Sequence, residues 1–72
     1  MPLAMVAEGE KARVRAISGT DAVKKHLGSL GLVPGSVLRV VQISAGSMIV
    51  GLHDSRLALN EDLVKRVMVE VC

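Results

Sequence analysis

The fold of this chain is decided by one stretch, which reads HLGSLGLVPGSVLRVV over residues 26–41. Gly31 lies where a helix should end, because glycine adopts the left-handed backbone conformation without steric cost. In such an ending the next residue, Leu32, folds back onto Leu27 in the last helical turn. Gly28 costs the same short helix about 1 kcal/mol against alanine, which suggests either that another backbone approaches closely there or that the helix tolerates the weakness. The first half of the stretch therefore predicts a short helix with a defined end.

The second half of the stretch predicts a tight turn that leads into a strand. Pro34 presets φ at the second position of residues 33–36, and Gly35 supplies positive φ at the third, as a type II turn requires. The β-branched run over residues 37–43 then favours a strand. Further turn-punctuated strands are predicted over residues 48–53 and 56–59.

The segment before the stretch alternates as a half-buried strand over residues 10–17. Ala12, Val14 and Ala16 are expected to face the core. Three cations alternate on the other side: Lys11, Arg13 and Arg15. Since the formal net charge is only +2, we interpret them as a solvated strand face. The alternative is an RNA-binding module that uses these three residues and Arg39.

Caps and periodicity complete the predicted order of elements. Thr20 is a suitable N-cap for the helix, on which Val23, Leu27 and Leu30 share one face. Asn60 can cap a single helical turn over residues 61–63, and valines alternate over residues 67–71. The whole order predicts an all-β fold in one domain, residues 1–72. It is a small five-stranded barrel with one short helix between strands 1 and 2 and a single helical turn before the last strand.

The composition excludes several classes of protein. Half of the residues are hydrophobic, none is aromatic, and the single cysteine is Cys72. One thiol gives no disulfide framework, so stability must come from aliphatic packing. Without aromatic rings the chain can neither stack single-stranded bases nor line a groove for proline-rich peptides. The apolar opening of residues 1–7 is too short for a signal peptide, and no run approaches the roughly 20 residues of a membrane span. We expect a cytoplasmic protein.

The sequence carries no motif for catalysis or for a cofactor. It has no nucleophile with a base nearby in sequence, no phosphate-binding loop and no dinucleotide fingerprint, so we expect neither an enzyme nor a bound cofactor. No tight metal site is expected either, because such a site needs three or four convergent ligands. His53 and Asp54, adjacent at a hairpin tip, are weak surface candidates. A metal-responsive domain that uses them together with His26 remains an alternative.

The opening stretch resembles the R-L-x-x-L/M-G-L-x-P-G-x-x-V-x-V core of the ferrous iron transport protein A (FeoA) family. The resemblance extends from the opening L-x-x-L-x-x-G pattern, for which this chain has Leu3 and Gly9, to the closing valines. His26 stands where the family often has arginine, and Val64 where it often has alanine. The resemblance implies a Src-homology-3-like (SH3-like) barrel, a module that also forms the C-terminal domain of iron-dependent repressors.

The same resemblance implies a role. It predicts a small cytoplasmic accessory protein of bacterial ferrous iron uptake without enzymatic activity. Its partner would be ferrous iron transport protein B, a membrane transporter with a GTP-binding domain, which it would regulate or assemble. Neither nucleic acid nor direct insertion into the membrane is expected, and a weak homo-oligomer is left open. The predicted partner-binding residues surround the helix end: Leu30, Gly31, Leu32, Val33 and Pro34.

Overall fold

Five antiparallel strands and two helices make up the structure, a computed structural model that describes residues 1–72. The elements in chain order are a 3₁₀ turn (Leu3–Met5), β1 (Lys11–Ile17), α1 (Asp21–Ser29), β2 (Val37–Ser44), β3 (Ser47–Leu52), β4 (Ser55–Leu59), α2 (Glu61–Arg66) and β5 (Val67–Val71). The strands form one sheet in the order β4-β3-β2-β1-β5. The predicted all-β class, the five strands and the helix between the first two are confirmed.

The core is entirely aliphatic apart from one methionine. All 15 buried residues are hydrophobic, and no polar or charged residue is buried. They come from the inner faces of the strands, from both helices, from the loop after α1 and from the segment before β1: Leu3, Val6, Ala12, Val14, Leu27, Leu32, Leu38, Val40, Met48, Val50, Leu52, Leu59, Val64, Val67 and Val69. Stability therefore rests on the packing of branched side chains, as the composition indicated.

The predicted end of α1 is present in full hydrogen-bonded detail. Gly31 has φ 95°, in the left-handed region. The Leu32 amide donates to the Leu27 carbonyl at 3.0 Å, and the Gly31 amide donates to the Gly28 carbonyl at 3.1 Å. This pair of bonds defines the Schellman motif. It turns the chain so that Leu27 and Leu32 both enter the core, each 0% exposed.

The burial of Leu32 corrects one predicted partner-binding residue. Leu32 was predicted both to fold back onto Leu27 and to contact the partner, and the structure shows it fully buried in the core cluster. The Schellman motif is the physical reason, because its hydrophobic contact directs this side chain inward.

A β-bulge changes the predicted phase of β1. Val14 pairs with Val69 and Ala16 with Met68, so that Arg15 is an extra residue on β1. The bulge moves Ala16, predicted to face the core, to the exposed side and turns Ile17 partly inward. A second register shift lies between Val40 and Gln42 of β2. Bulges bend and twist a sheet, and two of them curve this one around its small core.

The segment before β1 closes one end of the fold, a role that the sequence did not reveal. Leu3 and Val6 belong to the core. Met1 exchanges two hydrogen bonds with Val69 of β5, each 2.7 Å long. The first residues thus cover the outer edge of β5, which would otherwise present unpaired backbone groups.

Helix α2 is longer than the single turn that was predicted. Asn60 caps it as expected, since its Oδ1 accepts from the Leu63 amide at 2.9 Å. Two ion pairs at i, i+4 spacing extend it to six residues: Lys65 with Glu61 at 3.1 Å and Arg66 with Asp62 at 3.3 Å. Neither helix of the fold has the length or the apolar character that crossing a membrane would demand.

Leu32→Ala should lower the free energy of unfolding by about 2–5 kcal/mol, because it empties a fully buried site. Val33→Ala is the matched control one position along. Its side chain is 45% exposed, so the change should stay within about 0.5 kcal/mol. Equilibrium urea denaturation measures both. Equal losses in the two variants would contradict the placement of Leu32 in the core.

Gly28→Ala and Gly31→Ala should move stability in opposite directions. A Cβ at Gly28 would meet only Val33 Cγ1, at 3.8 Å, so no backbone approaches there and the suggested close approach is wrong. Gly28→Ala should therefore stabilise the protein by about 0.5–1 kcal/mol through helix propensity. Gly31→Ala should destabilise it by about 1–2 kcal/mol, because alanine must adopt the left-handed conformation. Thermal melts of both variants check the signs.

Candidate docking site

The exposed residues at the end of α1 form an apolar surface, which we call the helix-stop surface: Leu30, Gly31, Val33 and Pro34. Leu30 is 38% and Val33 45% exposed, although both are large hydrophobic residues. They are exposed because the Schellman motif and the following turn direct Leu27 and Leu32 inward. The structure thus brings together four of the five predicted partner-binding residues.

Hydrogen bonds hold the backbone of the helix-stop surface in place. The Ser36 amide donates to the Val33 carbonyl at 3.0 Å across the predicted turn, and Gly35 has the expected positive φ, 96°. The Ser36 hydroxyl donates to the Gly31 carbonyl at 2.9 Å. The Val33 amide in turn donates to the Ser36 Oγ at 3.4 Å. The apolar side chains are therefore presented on a braced loop.

Two shallow depressions border the loop. On one side, Leu30 and Gly31 line a depression of about 310 Å³ together with His53 and Asp54. On the other side, Val33 and Pro34 line one of about 290 Å³ with residues of β1 and α1. The loop thus offers apolar side chains at the rims of two hollows, a shape that suits contact with another surface.

The weak metal candidates lie at the tip of the β3–β4 hairpin. Leu52 pairs with Ser55, so that His53 and Asp54 form a two-residue turn in which His53 has φ 46°. Both side chains are exposed. No group of three histidine, cysteine or acidic side chains converges anywhere in the structure. The structure therefore does not assemble His26, His53 and Asp54 into the ligand set of a metal sensor.

The cations proposed for RNA binding do not form one patch. Arg15 is paired with Glu70, at 3.2 Å. Arg13 lies opposite the same glutamate in the β1–β5 ladder. Lys11 instead lies opposite Arg39 on β2. Arg13 and Arg15 therefore lie beside Glu70, whereas Lys11 and Arg39 take part in no ion pair.

Sequence reasoning missed two surface features. One is Arg56, which lines a groove of about 470 Å³ with Lys11 and Arg39. The other is an apolar hollow of about 410 Å³ at the end of β3 and β4 that lies away from the His53–Asp54 turn, to which Ile49, Ala58 and Leu63 contribute. Both depend on the pairing of β3 with β4. The alternation of Ile49 and Ala58 with core residues was the available signal for the second.

Comparison with known proteins gives the same family along the whole chain. A family model described as the FeoA domain matches residues 1–71. A protein of Methanocaldococcus jannaschii named as an Fe(2+) transport protein A is 33% identical over 69 residues, which are 96% of this chain and 84% of that protein.

Solved structures share the fold. The crystal structure of an iron uptake regulatory protein, FeoA, has a TM-score of 0.89 at 33% identity and covers 100% of this chain and 96% of that one. The solution structure of FeoA from Chlorobium tepidum has a TM-score of 0.88 at 25% identity, over 99% of this chain and 70% of that one. A manganese-dependent transcriptional repressor has a TM-score of 0.90 at 22% identity and covers 100% of this chain but 36% of its own, which shows likeness of fold alone.

These findings confirm the SH3-like barrel predicted from the sequence. The match to the family model is nearly complete, and the identity of one third to relatives extends over most of their length. The chain belongs to the FeoA family.

Proposed function

We propose that the chain is a cytoplasmic, non-enzymatic accessory protein of ferrous iron uptake. It docks onto ferrous iron transport protein B, the membrane transporter with a GTP-binding domain, and regulates or assembles it. The observation that carries this proposal is the helix-stop surface, where large apolar side chains are held outside the core on a braced loop. The names of the relatives, an Fe(2+) transport protein A and an iron uptake regulatory protein, support the link to iron.

Docking onto a partner would explain why Leu30 and Val33 are exposed, since contact of apolar side chains with water is unfavourable. Leu30 and Val33 could be polar without loss to the core, because the Schellman motif and the turn act through the backbone and through Gly31. Burying the exposed part of each against a partner would contribute about 1 kcal/mol. Such contacts at the centre of a small interface, with a polar rim from Ser36 and Asp54, suit a regulated and reversible association.

The positions of the ionisable groups favour binding over catalysis. Every acidic residue and both histidines are exposed, and the core holds no polar side chain. Catalytic groups usually lie in a cleft that excludes water and fixes their orientation. The two hollows beside the helix-stop surface are shallow, and their charged residues extend into water. We therefore propose a contact surface and not a reaction site.

Leu30→Gln and Val33→Gln should weaken capture of the transporter's purified GTP-binding domain while shifting the melting temperature by only about 2–4 °C, because neither side chain belongs to the buried core. Arg13→Gln is the control and should leave capture unchanged, because Arg13 lies on the outer face of β1 and lines neither of the two hollows beside the helix-stop surface. Biolayer interferometry and thermal melts on the three variants provide the measurement. Loss of capture with Arg13→Gln, together with retained capture in both apolar variants, would show that the partner contacts the outer face of β1 and not the helix-stop surface.

Fe²⁺ should bind no more than weakly, because His53 and Asp54 have no third ligand close by and a firm site needs several convergent ligands. Anaerobic calorimetry is expected to show no saturable low-micromolar site. His53→Asn is the appropriate variant, since asparagine tolerates the left-handed backbone of this position. A tight one-to-one site in the original chain that disappears in His53→Asn would establish a metal-responsive domain instead.

A further inference from the structure

Three cations lie in one row across the outer face of the sheet. Lys11 of β1 pairs with Arg39 of β2, Arg39 pairs with Gly51 of β3, and Gly51 pairs with Arg56 of β4. Residues directly opposite each other in antiparallel strands project from the same face. The side chains of the row are exposed and line one groove of about 470 Å³.

The row is not neutralised within the molecule. The three ion pairs of the structure involve other residues: Arg15–Glu70, Lys65–Glu61 and Arg66–Asp62. Among the residues that line the groove, Asp54 is the only acid. Three cations and one carboxylate leave the groove with a formal charge of +2 while His53 is neutral. That equals the net charge of the whole chain, so the formal charges of all the other residues sum to zero.

The floor of the row is open because of Gly51. A Cβ at this position would touch only Val41 Cγ2, at 3.5 Å, and the Arg39 carbonyl oxygen, at 3.9 Å. Apart from the chain neighbours of Gly51, no other atom lies within 4 Å of that position. Val37 and Val41, which precede and follow Arg39 along β2, line the same groove, so apolar side chains lie beside the row of cations. One further bond orients the row, since Arg39 Nη1 donates to the Gly9 carbonyl at 3.2 Å.

We infer that this row is a docking groove for an extended acidic peptide segment of a protein partner, with carboxylates seated on Lys11, Arg39 and Arg56. With strands about 4.8 Å apart, the row spans roughly 14–15 Å. At about 3.3 Å per residue, an extended segment of about five residues covers that length. Alternate side chains of such a segment face the same way, so an acidic residue at every second position meets the cations. Guanidinium groups suit carboxylates because both are planar and can form two parallel hydrogen bonds.

The observations favour a peptide over a nucleic acid. The groove offers no aromatic ring for base stacking, which usually contributes much of the affinity for single strands. Asp54 at one end would repel a continuous phosphate backbone, whereas a peptide can place a neutral or basic residue there. Val37 and Val41, which also line the groove, can pack against the methylene groups of glutamate side chains that reach the cations.

The groove is continuous with the helix-stop surface. His53 and Asp54 line both the groove and the depression that contains Leu30 and Gly31. One partner could therefore place an apolar group at the helix end and extend an acidic segment across the sheet. The groove determines only the chemistry of the partner segment. The identity of the protein that supplies this segment rests on the proposed docking function.

A titration of the purified chain with synthetic peptides tests the inference. Backbone-amide NMR would follow a capped Glu-Val-Glu-Val-Glu peptide and its Gln-Val-Gln-Val-Gln counterpart. The glutamate peptide should shift the amides of Lys11, Arg39, Gly51 and Arg56 saturably in the millimolar range, and the glutamine peptide should not. The shifts should vanish in about 1 M salt, where the Debye length falls to about 3 Å. Absence of saturable shifts along the row at low salt would overturn the inference.

Two kinds of variant separate charge from shape. Arg39→Gln and Arg56→Gln should each weaken the glutamate peptide by about two- to fivefold, the range expected for an exposed charge pair. Lys24→Gln on α1 removes an equal charge outside the groove and should have no effect. Gly51→Val keeps all charges, and valine suits a strand. Because its side chain fills the floor of the groove, it should weaken peptide binding at least as much as either arginine variant. Retained affinity in Gly51→Val and in both arginine variants would refute the groove.

Inorganic phosphate and an oligothymidylate serve as competing probes. If either binds the same row more tightly than the glutamate peptide, the assignment to a peptide is wrong. The result is independent of the capture experiment, which uses the transporter's domain and the Leu30 and Val33 variants. Peptide binding without capture would reject the proposed partner and keep the groove, while capture without peptide binding would do the reverse.

Discussion

The structure depends on one hydrogen bond, from the Leu32 amide to the Leu27 carbonyl across Gly31. This bond reverses the chain at the end of α1 and sends both leucines into a core that has no aromatic residue to replace them. Losing it would expose two fully buried side chains in a domain with only 15 buried residues. The same reversal pushes Leu30 and Val33 outward. One local motif therefore completes the core and creates the surface at which docking is proposed.

The aliphatic core explains why the sheet is curved by bulges. Leucine and valine are smaller than the aromatic residues that often fill the centre of a barrel, so the sheet must close tightly around them. The extra residues, Arg15 on β1 and Val41 on β2, form the two bulges, and bulges bend a sheet. The bulge at Arg15 also brings this arginine to Glu70, at 3.2 Å. The curvature needed by the core thus removes one cation from the basic strand face.

The sequence predicted what local chemistry determines. Four local features each follow from a few neighbouring residues, and each is present in the structure. They are the caps at Thr20 and Asn60, the left-handed Gly31 and the turn before β2. The inward Ala16 was wrong because a bulge depends on the partner strand. The surface position of Leu32 was wrong because the backbone reversal at Gly31 turns the Leu32 side chain into the core beside Leu27. The row of cations was out of reach, since Arg56 joins Arg39 only through the pairing of β3 with both neighbouring strands.

Fold and surface carry different information in this molecule. A repressor with 22% identity has almost the same backbone, so the barrel by itself does not select a partner. In the proposed docking, selection of a partner would come from side chains that the core does not need, and the two proposed surfaces that carry them adjoin each other. Leu30 and Val33 are apolar on a braced loop, and the cationic row crosses the open face above Gly51. Because the His53–Asp54 turn borders both, a partner that matches only one of them leaves the other in water. A partner that fills both would gain apolar burial and charge pairing together, and under the two proposals this combination is what separates the partner from proteins that match only one surface.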